Sequence, residues 1–322
     1  MNQKLEYRFI ITVKMNELSP LMLIVNPAAG GYSTKREWPN ILEHLKEHLG
    51  LSFNYCETAY PGHAISLAKE AITKGYRFLV AVGGDGTVNE VANGILSTRN
   101  TKTMLGVVAT GGECCFADSL GISKDYYKAF SGLGSPKKRK IDVGAIRYMY
   151  QGQEKERYFV NHADIGFGAE ATRRWSHISQ KSGRRLALAL RFAVAARSLL
   201  NHRNITLEIE IDGKTSQMRS CEIIVVNGRY YANKMLVAPS AKLDDGLLDI
   251  VVLNNVSKLE LLSIVPRTYS GTYIRHPKVV TSLVKSVKIR SLERFYVEAD
   301  GELIGEGPVS FTVLPAALTV AT

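Results

Sequence analysis

The chain has 322 residues, 45% of them hydrophobic and 22% charged, which is the composition of an ordinary soluble protein with enough length for two domains. No apolar run reaches the roughly eighteen residues that a helix needs to span a bilayer, and the run at 9–13 is too short for the core of a signal peptide. The sequence therefore argues against a membrane-spanning helix and predicts a cytoplasmic protein. Its four cysteines lack metal-ligand spacing and should stay reduced.

The formal net charge of +11 indicates a negatively charged partner, such as a nucleotide, an anionic membrane surface or a nucleic acid. The basic run at 136–140 resembles a nucleic-acid patch, but a run this short is usually a solvated face. No recognised nucleic-acid-binding motif accompanies it. We therefore expect no nucleic-acid partner.

Four apolar strands alternate with helices in the first part of the chain. The strands are predicted at 21–25, 51–57, 78–82 and 104–108, with an amphipathic helix that has Pro39 in its first turn and another helix at 63–74. This alternation predicts a parallel sheet with ligands beyond the carboxyl ends of its strands. Loops follow all four strands at that edge, at Asn26, Thr58, 83–89 and 111–113.

The third loop, Gly-Gly-Asp-Gly-Thr-Val-Asn-Glu at 83–90, lies between a buried strand and a helical pattern. Its glycines let a phosphate approach the backbone beside a helix N-terminus. Thr87 and Glu90 have the spacing of a capping box. Asp85 would repel a phosphate unless it holds a cation, a hydroxyl group or the amides of its own loop.

Beyond residue 141 the pattern changes to closely spaced strands, which predicts an antiparallel β-rich second domain joined to the first near 139–144. The predicted strands are 158–161, 205–211, 221–227, 246–253, 284–289, 295–299 and 310–314. One helix, predicted at 184–200, interrupts them. It either faces the core, or touches a membrane or covers a substrate cleft.

Two acidic segments of this second domain are candidate sites. Asp244, Asp245 and Asp249 lie in a turn whose carboxylates and carbonyls suit Mg²⁺ or Ca²⁺, although they could serve the turn alone. Asp300 and Glu302 would project to one side of a continuing strand, where one acts as a base and the other orients a metal or its partner. A hairpin turn at Asp300 and Gly301 is the alternative.

Several motifs together are similar in order and spacing to the diacylglycerol kinase catalytic-domain family, in particular to its bacterial lipid kinases. The family is related to sphingosine kinases and more distantly to NAD kinases. Besides the loop at 83–90, the motifs are Asn-Gly-x-Tyr at 227–230, Ala-Pro-Ser-Ala-Lys-Leu-Asp-Asp-Gly-Leu-Leu-Asp at 238–249, Asp-Gly-Glu at 300–302 and Leu-Pro-Ala-Ala-Leu at 314–318. The match covers about residues 20–320.

The resemblance implies an α/β nucleotide-binding domain at 20–141 and a β-sandwich-like substrate and metal domain at 142–309, with a segment at 310–322 that can return to the first domain. It also implies a kinase that uses ATP and Mg²⁺ to phosphorylate the hydroxyl group of diacylglycerol or a similar lipid at the membrane surface. The implied partners are the lipid and, peripherally, an anionic membrane. A homodimer is left open.

The resemblance also assigns site residues. Asp300 would accept the proton of the lipid hydroxyl with Glu302 beside it, and Asp85 would organise nucleotide or metal. The metal site would comprise Asp245 and the carbonyls of Lys242 and Leu247. The implied nucleotide contacts are Asn26, Thr58, Gly83, Gly84, Asp85, Gly86, Thr87, Val88, Asn89 and Gly112.

The loop at 111–117 departs from the family. It reads Gly-Gly-Glu-Cys-Cys-Phe-Ala where the family usually has Gly-Thr-x-Asn-Asp-Phe-Ala. A hydroxyl group, an amide and a carboxylate are replaced by Gly112, Cys114 and Cys115, while Glu113 adds a carboxylate. Two functions therefore stay open: an active kinase, with an unusual substrate or with Glu113 compensating, or a nucleotide- or lipid-binding regulatory protein with reduced or lost activity.

Overall fold

The computed structural model describes residues 8–10, 21–48, 52–99, 102–110, 114–179, 194, 197–199, 201, 203–232 and 234–322. The chain forms two compact units. One contains the described residues up to Ile141 together with Ala316–Thr322, and the other is Asp142–Pro315. The first is an α/β unit and the second an antiparallel β-rich unit, so the predicted fold class is confirmed.

A parallel sheet forms the centre of the first unit, in the order β3–β2–β4–β5. Every residue of β2 and β4 is buried, as expected for strands covered on both faces. The chain ends in this sheet, because Thr319 and Val320 pair in parallel with β5. The strands are β1 (Arg8–Ile10), β2 (Leu21–Val25), β3 (Phe53–Glu57), β4 (Phe78–Gly83) and β5 (Met104–Ala109).

The helices of the first unit are α1 (Ala29–His48), α2 (His63–Thr73), α3 (Asp85–Ser97), α4 (Cys115–Leu120) and α5 (Tyr126–Gly132). The apolar face of α1 packs on the sheet through Trp38, Ile41 and Leu45. The N-terminal part of α1 differs from the prediction. Three consecutive residues with positive φ, Gly30, Gly31 and Tyr32, interrupt the helix, and Pro39 lies inside it rather than in its first turn.

The second unit is built from long antiparallel strands. Strand β10 pairs with β9 through its first half, with β8 through its second half and with β13 on its other edge. Its elements are β6 (Lys138–Tyr150), β7 (Gln153–Phe159), β8 (His162–Gly166), α6 (Phe167–Ser179), β9 (Ile205–Ile211), β10 (Lys214–Val226), β11 (Tyr230–Tyr231), β12 (Met235–Leu236), β13 (Leu248–Asn254), α7 (Lys258–Thr268), a 3-10 turn (Thr272–Arg275), β14 (Val279–Val284), β15 (Ser286–Arg290), β16 (Tyr296–Ala299) and β17 (Glu302–Ala321).

Unbroken strands cross both boundaries between the units. The predicted connection at 139–144 lies within β6, and the basic run enters the same strand with Lys138 and Lys140 exposed. The second unit ends at Pro315, inside β17, whereas the sequence placed this boundary at 309. The helix predicted at 184–200 lies outside the described residues, apart from 194 and 197–199.

Three two-residue turns close hairpins of the second unit, and both residues of each turn have positive φ: Gln151-Gly152, Asp212-Gly213 and Asp300-Gly301. This pattern is that of the turns that match the twist of paired strands. The turn at Asp300 therefore ends one strand and begins the next. The expectation that a continuing strand places Asp300 and Glu302 on one side is wrong: Asp300 is buried, and Glu302 is exposed.

Candidate functional site

Backbone hydrogen bonds hold the loops after neighbouring parallel strands side by side at the carboxyl edge of the first unit. In each case a loop N–H donates to a carbonyl at the end of the adjacent strand: Thr58 to Val25 at 2.8 Å, Asn26 to Val82 at 2.9 Å and Thr110 to Gly83 at 3.1 Å. The structure thus brings together three of the four predicted loops. Gly112, in the fourth, lies outside the described residues.

Asn26 and Thr87 are in direct contact. Asn26 Nδ2 donates to Thr87 Oγ1 at 3.0 Å, while Asn26 Oδ1 accepts from the N–H of Ala28. Gly83 makes room for this pair, because a Cβ at that position would lie 2.4 Å from Thr87 Oγ1. A glycine is therefore required by packing at the start of the loop, in addition to any role at a ligand.

The predicted capping box is wrong. Glu90 reaches away from its own helix, and its two carboxylate oxygens accept from the N–H groups of Gly62 at 2.8 Å and Ala64 at 3.0 Å. Glu90 therefore caps α2, whose first amides would otherwise lack acceptors. Helix α3 begins after Gly84, an N-cap residue that has no side chain to cap it.

Asp85 caps a second neighbouring helix. Its carboxylate accepts from the N–H groups of Cys115 at 2.9 Å and Phe116 at 3.0 Å, and from the thiol of Cys114 at 3.4 Å. The acidic residue that a phosphate should avoid is thus directed to the N-terminus of α4. Of the alternatives for Asp85, the structure shows it holding amides, those at the N-terminus of α4.

The remaining residues of the loop at 83–90 can offer a ligand backbone groups more readily than side chains. Gly86 is exposed, whereas Val88 and Asn89 are buried. Asn89 Oδ1 accepts from Asn93 Nδ2 at 3.1 Å, one turn along α3. The chemistry available to an anion here is that of amides at a helix N-terminus.

The two neighbouring cysteines are buried, reduced side chains. Burial, and then the charge of Asp85, raise the pKa of the Cys114 thiol well above its usual range. Cys114 is therefore a hydrogen-bond donor and not a thiolate nucleophile. Cys114 occupies the position at which the family usually has Asn, and its thiol still donates a hydrogen bond to Asp85. The replacement of Asn by Cys114 therefore keeps a hydrogen-bond donor at this position.

Asp300, in the second unit, anchors a turn of backbone. Its carboxylate accepts from three successive N–H groups, those of Val160 at 2.8 Å, Asn161 at 3.0 Å and His162 at 2.9 Å. Only 3% of Asp300 is exposed. The carboxylate is therefore held in one orientation by fixed donors.

Glu302 lies on the other side of the hairpin turn and forms an ion pair with Arg157, with Arg157 Nη2 2.6 Å from Glu302 Oε2. The Arg157 side chain is mostly buried, whereas that of Glu302 is about half exposed. Glu302 therefore neutralises a buried guanidinium and fixes its position.

The acidic loop at 242–249 offers oxygen donors. Asp245 Oδ1 accepts from the N–H of Leu247 at 3.1 Å, which is the turn role considered for it, and Asp142 accepts from the N–H of Gly246 at 2.6 Å. Burial and then the neighbouring Asp245 raise the pKa of Asp249 to about 6. This negative environment, together with exposed Asp245, fits a hard divalent cation such as Mg²⁺.

A buried acidic cluster in the second unit was not predicted. His162 and Asp164 project from one face of β8, with Glu298 of β16 directly opposite Asp164 and Glu222 on the adjacent β10. All four are buried, and Tyr231 donates its hydroxyl to Asp164 at 2.8 Å. The signal in the sequence was the pair of polar residues in an otherwise apolar strand.

The cluster requires a nearby glycine, and burial favours the protonated form of its carboxyl groups. A Cβ at Gly168 would lie 2.4 Å from Tyr231 Oη, and Asp164 Oδ1 has no hydrogen-bond partner among the described residues. Burial raises the pKa values of Asp164 and Glu222 well above the usual range and that of Glu298 to about 7. Protonated carboxyl groups can therefore act as donors here.

The donor atoms of His162, Asp164 and Glu298 lie within 4.8 Å of one another, close enough to consider a metal ion. However, Asn161 Nδ2 donates to the carbonyl of Tyr230 at 2.7 Å and lies 3.2 Å from His162 Nδ1. These contacts assign Nδ1 as an acceptor and the proton to Nε2, which lies 3.5 Å from Glu298 Oε1. A metal ligand would need a lone pair on Nε2, so the arrangement favours a hydrogen-bonded cluster.

Two protein-family models match this chain. Residues 20–146 match the diacylglycerol kinase catalytic domain, and residues 163–322 match the YegS C-terminal NAD kinase beta sandwich-like domain. The chain belongs to the diacylglycerol kinase family. Membership places it among enzymes of the lipid-kinase class.

Relatives of this family member align along nearly its whole length. The diacylglycerol kinase of Staphylococcus carnosus (strain TM300) is 28% identical over 300 residues, covering 93% of this chain and 94% of the relative. That of Bacillus subtilis (strain 168) is 29% identical over 293 residues, covering 91% and 92%. The solved structure of a diacylglycerol kinase from Bacillus anthracis str. Sterne has the same fold, with a TM-score of 0.70 at 20% identity and coverage of 95% and 97%.

Removing the cap on α4 should destabilise this diacylglycerol kinase family member. In Asp85→Asn an NH₂ group replaces one of the two acceptor oxygens facing the amides of α4. We expect the free energy of unfolding in urea to fall by about 1–2 kcal/mol. Glu43→Gln, at an exposed position of α1, is the control and should stay within about 0.5 kcal/mol of the unchanged protein. Equal stability of Asp85→Asn and the unchanged protein would show that the cap contributes nothing.

The buried cluster should make stability fall as pH rises. The folded-state pKa of Glu298, about 7, lies above its ordinary value of 4.5, so its contribution is complete below about pH 4.5 and lost through about pH 7. Asp164 and Glu222 act in the same direction. Urea unfolding between about pH 5 and 8 should therefore show a decline that Glu298→Gln reduces, by up to about 3 kcal/mol. Exposed Glu154→Gln should leave the slope unchanged.

Proposed function

We propose that the chain is an ATP- and Mg²⁺-dependent lipid kinase that transfers the γ-phosphate to the hydroxyl group of diacylglycerol or a similar lipid at an anionic membrane surface. One observation carries this proposal. The N-cap residue of α3 is Gly84, which has no side chain, and the carboxylates of the same motif, Asp85 and Glu90, accept hydrogen bonds from the N-termini of other helices. The first amides of α3 would therefore be positioned to meet phosphate oxygens.

The nucleotide would lie along the carboxyl edge of the first unit. Gly84, Gly86 and the first amides of α3 would contact its phosphates, and the Asn26–Thr87 pair and Thr58 would fix the neighbouring loops. Phosphoryl transfer needs positioning and electrostatic stabilisation more than covalent chemistry, and fixed backbone donors supply both. Val88 and Asn89 would contribute by main chain and packing.

In the second unit, Asp300 would accept the proton of the lipid hydroxyl as it attacks phosphorus. Its three backbone donors fix the direction of the carboxylate. Glu302 would act through Arg157, whose charge it holds in place. The charge distribution around Asp300 is therefore set by residues of its own hairpin and of β7.

A divalent cation would be held by Asp245 and the carbonyls of Lys242 and Leu247. When bound, Mg²⁺ supplies positive charge that neutralises phosphate and the acidic loop. Asp142 would support the loop by accepting from Gly246, which lies at the bend with a φ of 75°. The fit rests on the oxygen-only donor set and on the negative charge that Asp245 imposes on Asp249.

Turnover with a panel of lipids tests the proposal directly. With ATP and Mg²⁺, we expect product from at least one of diacylglycerol, sphingosine, long-chain alcohols and polyprenols. Tight ATP binding without transfer to any of them would instead favour a regulatory binding protein. The double variant Cys114→Asn with Cys115→Asp would then show whether the altered loop at 111–117 is responsible for the absence of transfer.

Asp300→Asn should abolish most turnover. Loss of a general base lowers kcat by about 10²–10⁴-fold, with little change in the KM for ATP because the nucleotide contacts lie in the first unit. Asp212→Asn is a matched control, since Asp212 has the same turn position and its carboxylate also accepts from two backbone amides. Both variants lose turn stability, so a similar fall in kcat for both would contradict a chemical role for Asp300.

Binding of Mg²⁺ should stabilise the protein through Asp245. We expect the melting temperature of the unchanged protein to rise with Mg²⁺ concentration and that of Asp245→Asn to rise much less. Asp244→Asn removes the same charge from the same exposed loop and should retain the response. If Asp245→Asn responds as fully as the control, the metal lies elsewhere.

A further inference from the structure

Helix α7 has two apolar faces, and the residues that the structure describes cover only one of them. Leu261 and Ile264 are buried in a hydrophobic cluster of the second unit, together with Val237, Val256 and Tyr273. On the adjacent face, apolar side chains are exposed along the whole helix and just beyond it: Leu259 is 80% exposed, Leu262 55%, Val265 39% and Tyr269 57%. At about 100° per residue this exposed stripe covers an arc of about 120°.

The orientation of α7 is fixed rather than variable. Ser257 and Glu260 form a capping box at its N-terminus, so the helix starts at a defined residue. Tyr273, in the turn that follows, is buried and donates its hydroxyl to the carbonyl of Val237 at 2.5 Å. The exposed stripe is thus held outward by a capped, packed helix.

Basic residues outnumber acidic residues in and just after α7. Within 258–278 the sequence has four basic residues, Lys258, Arg267, Arg275 and Lys278, against one acidic residue, Glu260. Glu260 pairs with Lys278 at 2.8 Å. Ile274, 38% exposed, extends the apolar surface into the 3-10 turn. We call the exposed residues of α7 together with this turn the α7 surface.

Exposed apolar residues grouped on one surface mark a contact site, and two occupants fit an apolar helix face: a second copy of the chain or a lipid bilayer. Pairing of two identical α7 surfaces would place the same basic residues near one another in a desolvated interface, where like charges repel. An anionic bilayer accepts the apolar stripe in its acyl region and the basic side chains at its phosphates. Tyr269 also suits the boundary between these regions.

We propose that the α7 surface is where the protein lies on an anionic lipid bilayer. The inference rests on the proposed function for its biological sense, since it assigns the membrane contact to a particular surface. Across the described parts of the chain, no helix has the length and apolar character needed to cross a bilayer. Contact through α7 would be peripheral and reversible, with the helix lying in the plane of the interface.

Vesicle co-sedimentation without ATP tests the surface independently of turnover. The unchanged protein should bind vesicles that contain both phosphatidylglycerol and phosphatidylcholine, and it should bind pure phosphatidylcholine vesicles at least tenfold more weakly.

Leu262→Glu should lower the affinity for the anionic vesicles at least tenfold. Leu292→Glu makes the same change at a fully exposed residue outside α7 and should bind normally. Circular dichroism checks that both variants are folded. Equal binding by both variants would overturn the proposal.

The charge contribution can be tested in the same way. Arg267→Glu with Arg275→Glu should weaken binding to anionic vesicles at least tenfold, whereas Arg290→Glu, exposed on β15, should have little effect. Sedimentation velocity distinguishes the other occupant. If Leu262→Glu converts a dimer to a monomer while vesicle binding is retained, the surface belongs to a second copy and the proposal is wrong.

Failure of this inference can be separated from failure of the proposed function. With a water-soluble short-chain diacylglycerol, Leu262→Glu should turn over at the rate of the unchanged protein, because α7 takes no part in the chemistry. With diacylglycerol in vesicles it should be at least tenfold slower. Vesicle binding without turnover of either substrate by the unchanged protein would contradict the kinase and leave the α7 surface supported. A Leu262→Glu rate equal to that of Leu292→Glu on vesicles would contradict the α7 surface alone.

Discussion

Carboxylate-to-amide hydrogen bonds from α3 organise the first unit. Asp85 binds the N-terminus of α4, and Glu90 binds the N-terminus of α2. A helix N-terminus attracts negative charge, and here two such positions are filled from within the protein. The two carboxylates thereby hold α2 and α4 in place beside α3. In the proposed function, an external anion would meet the amides at the N-terminus of α3 itself, where the N-cap residue Gly84 has no side chain.

Carboxylates of the second unit have two contrasting environments only a few residues apart. Asp300 faces three backbone donors, whereas Asp164 and Glu298 face each other and a partly buried tyrosine, Tyr231. Donors from the backbone stabilise a fixed anion, while carboxyl groups without enough donors bind protons instead. The same residue type thus gives a rigid acceptor at the hairpin turn and a proton-binding cluster inside the unit.

The excess of basic residues has local meaning only once the fold is known. Residues 258–278, which include the exposed apolar stripe of α7, contain four basic residues and one acidic residue, Glu260, which pairs with Lys278. This local excess is the basis for the bilayer contact proposed for the α7 surface. The run at 136–140 is instead the exposed start of a strand. A global charge of +11 indicates a negative partner but does not say where it binds.

The sequence by itself determined the four parallel strands, the loops at their carboxyl edge, the β-rich second unit and the family, because strand periodicity, glycine turns and motif spacing are local properties. Tertiary structure decided which groups the polar side chains meet. Glu90 looked like a cap for its own helix, yet it binds Gly62, 28 residues away, and Asp85 binds Phe116, 31 residues away. Strand pairing decided that Asp300 lies in a hairpin turn. It also decided which carboxylates lie beside Asp164. Local patterns do not record such contacts, since their energy comes from partners distant in the chain.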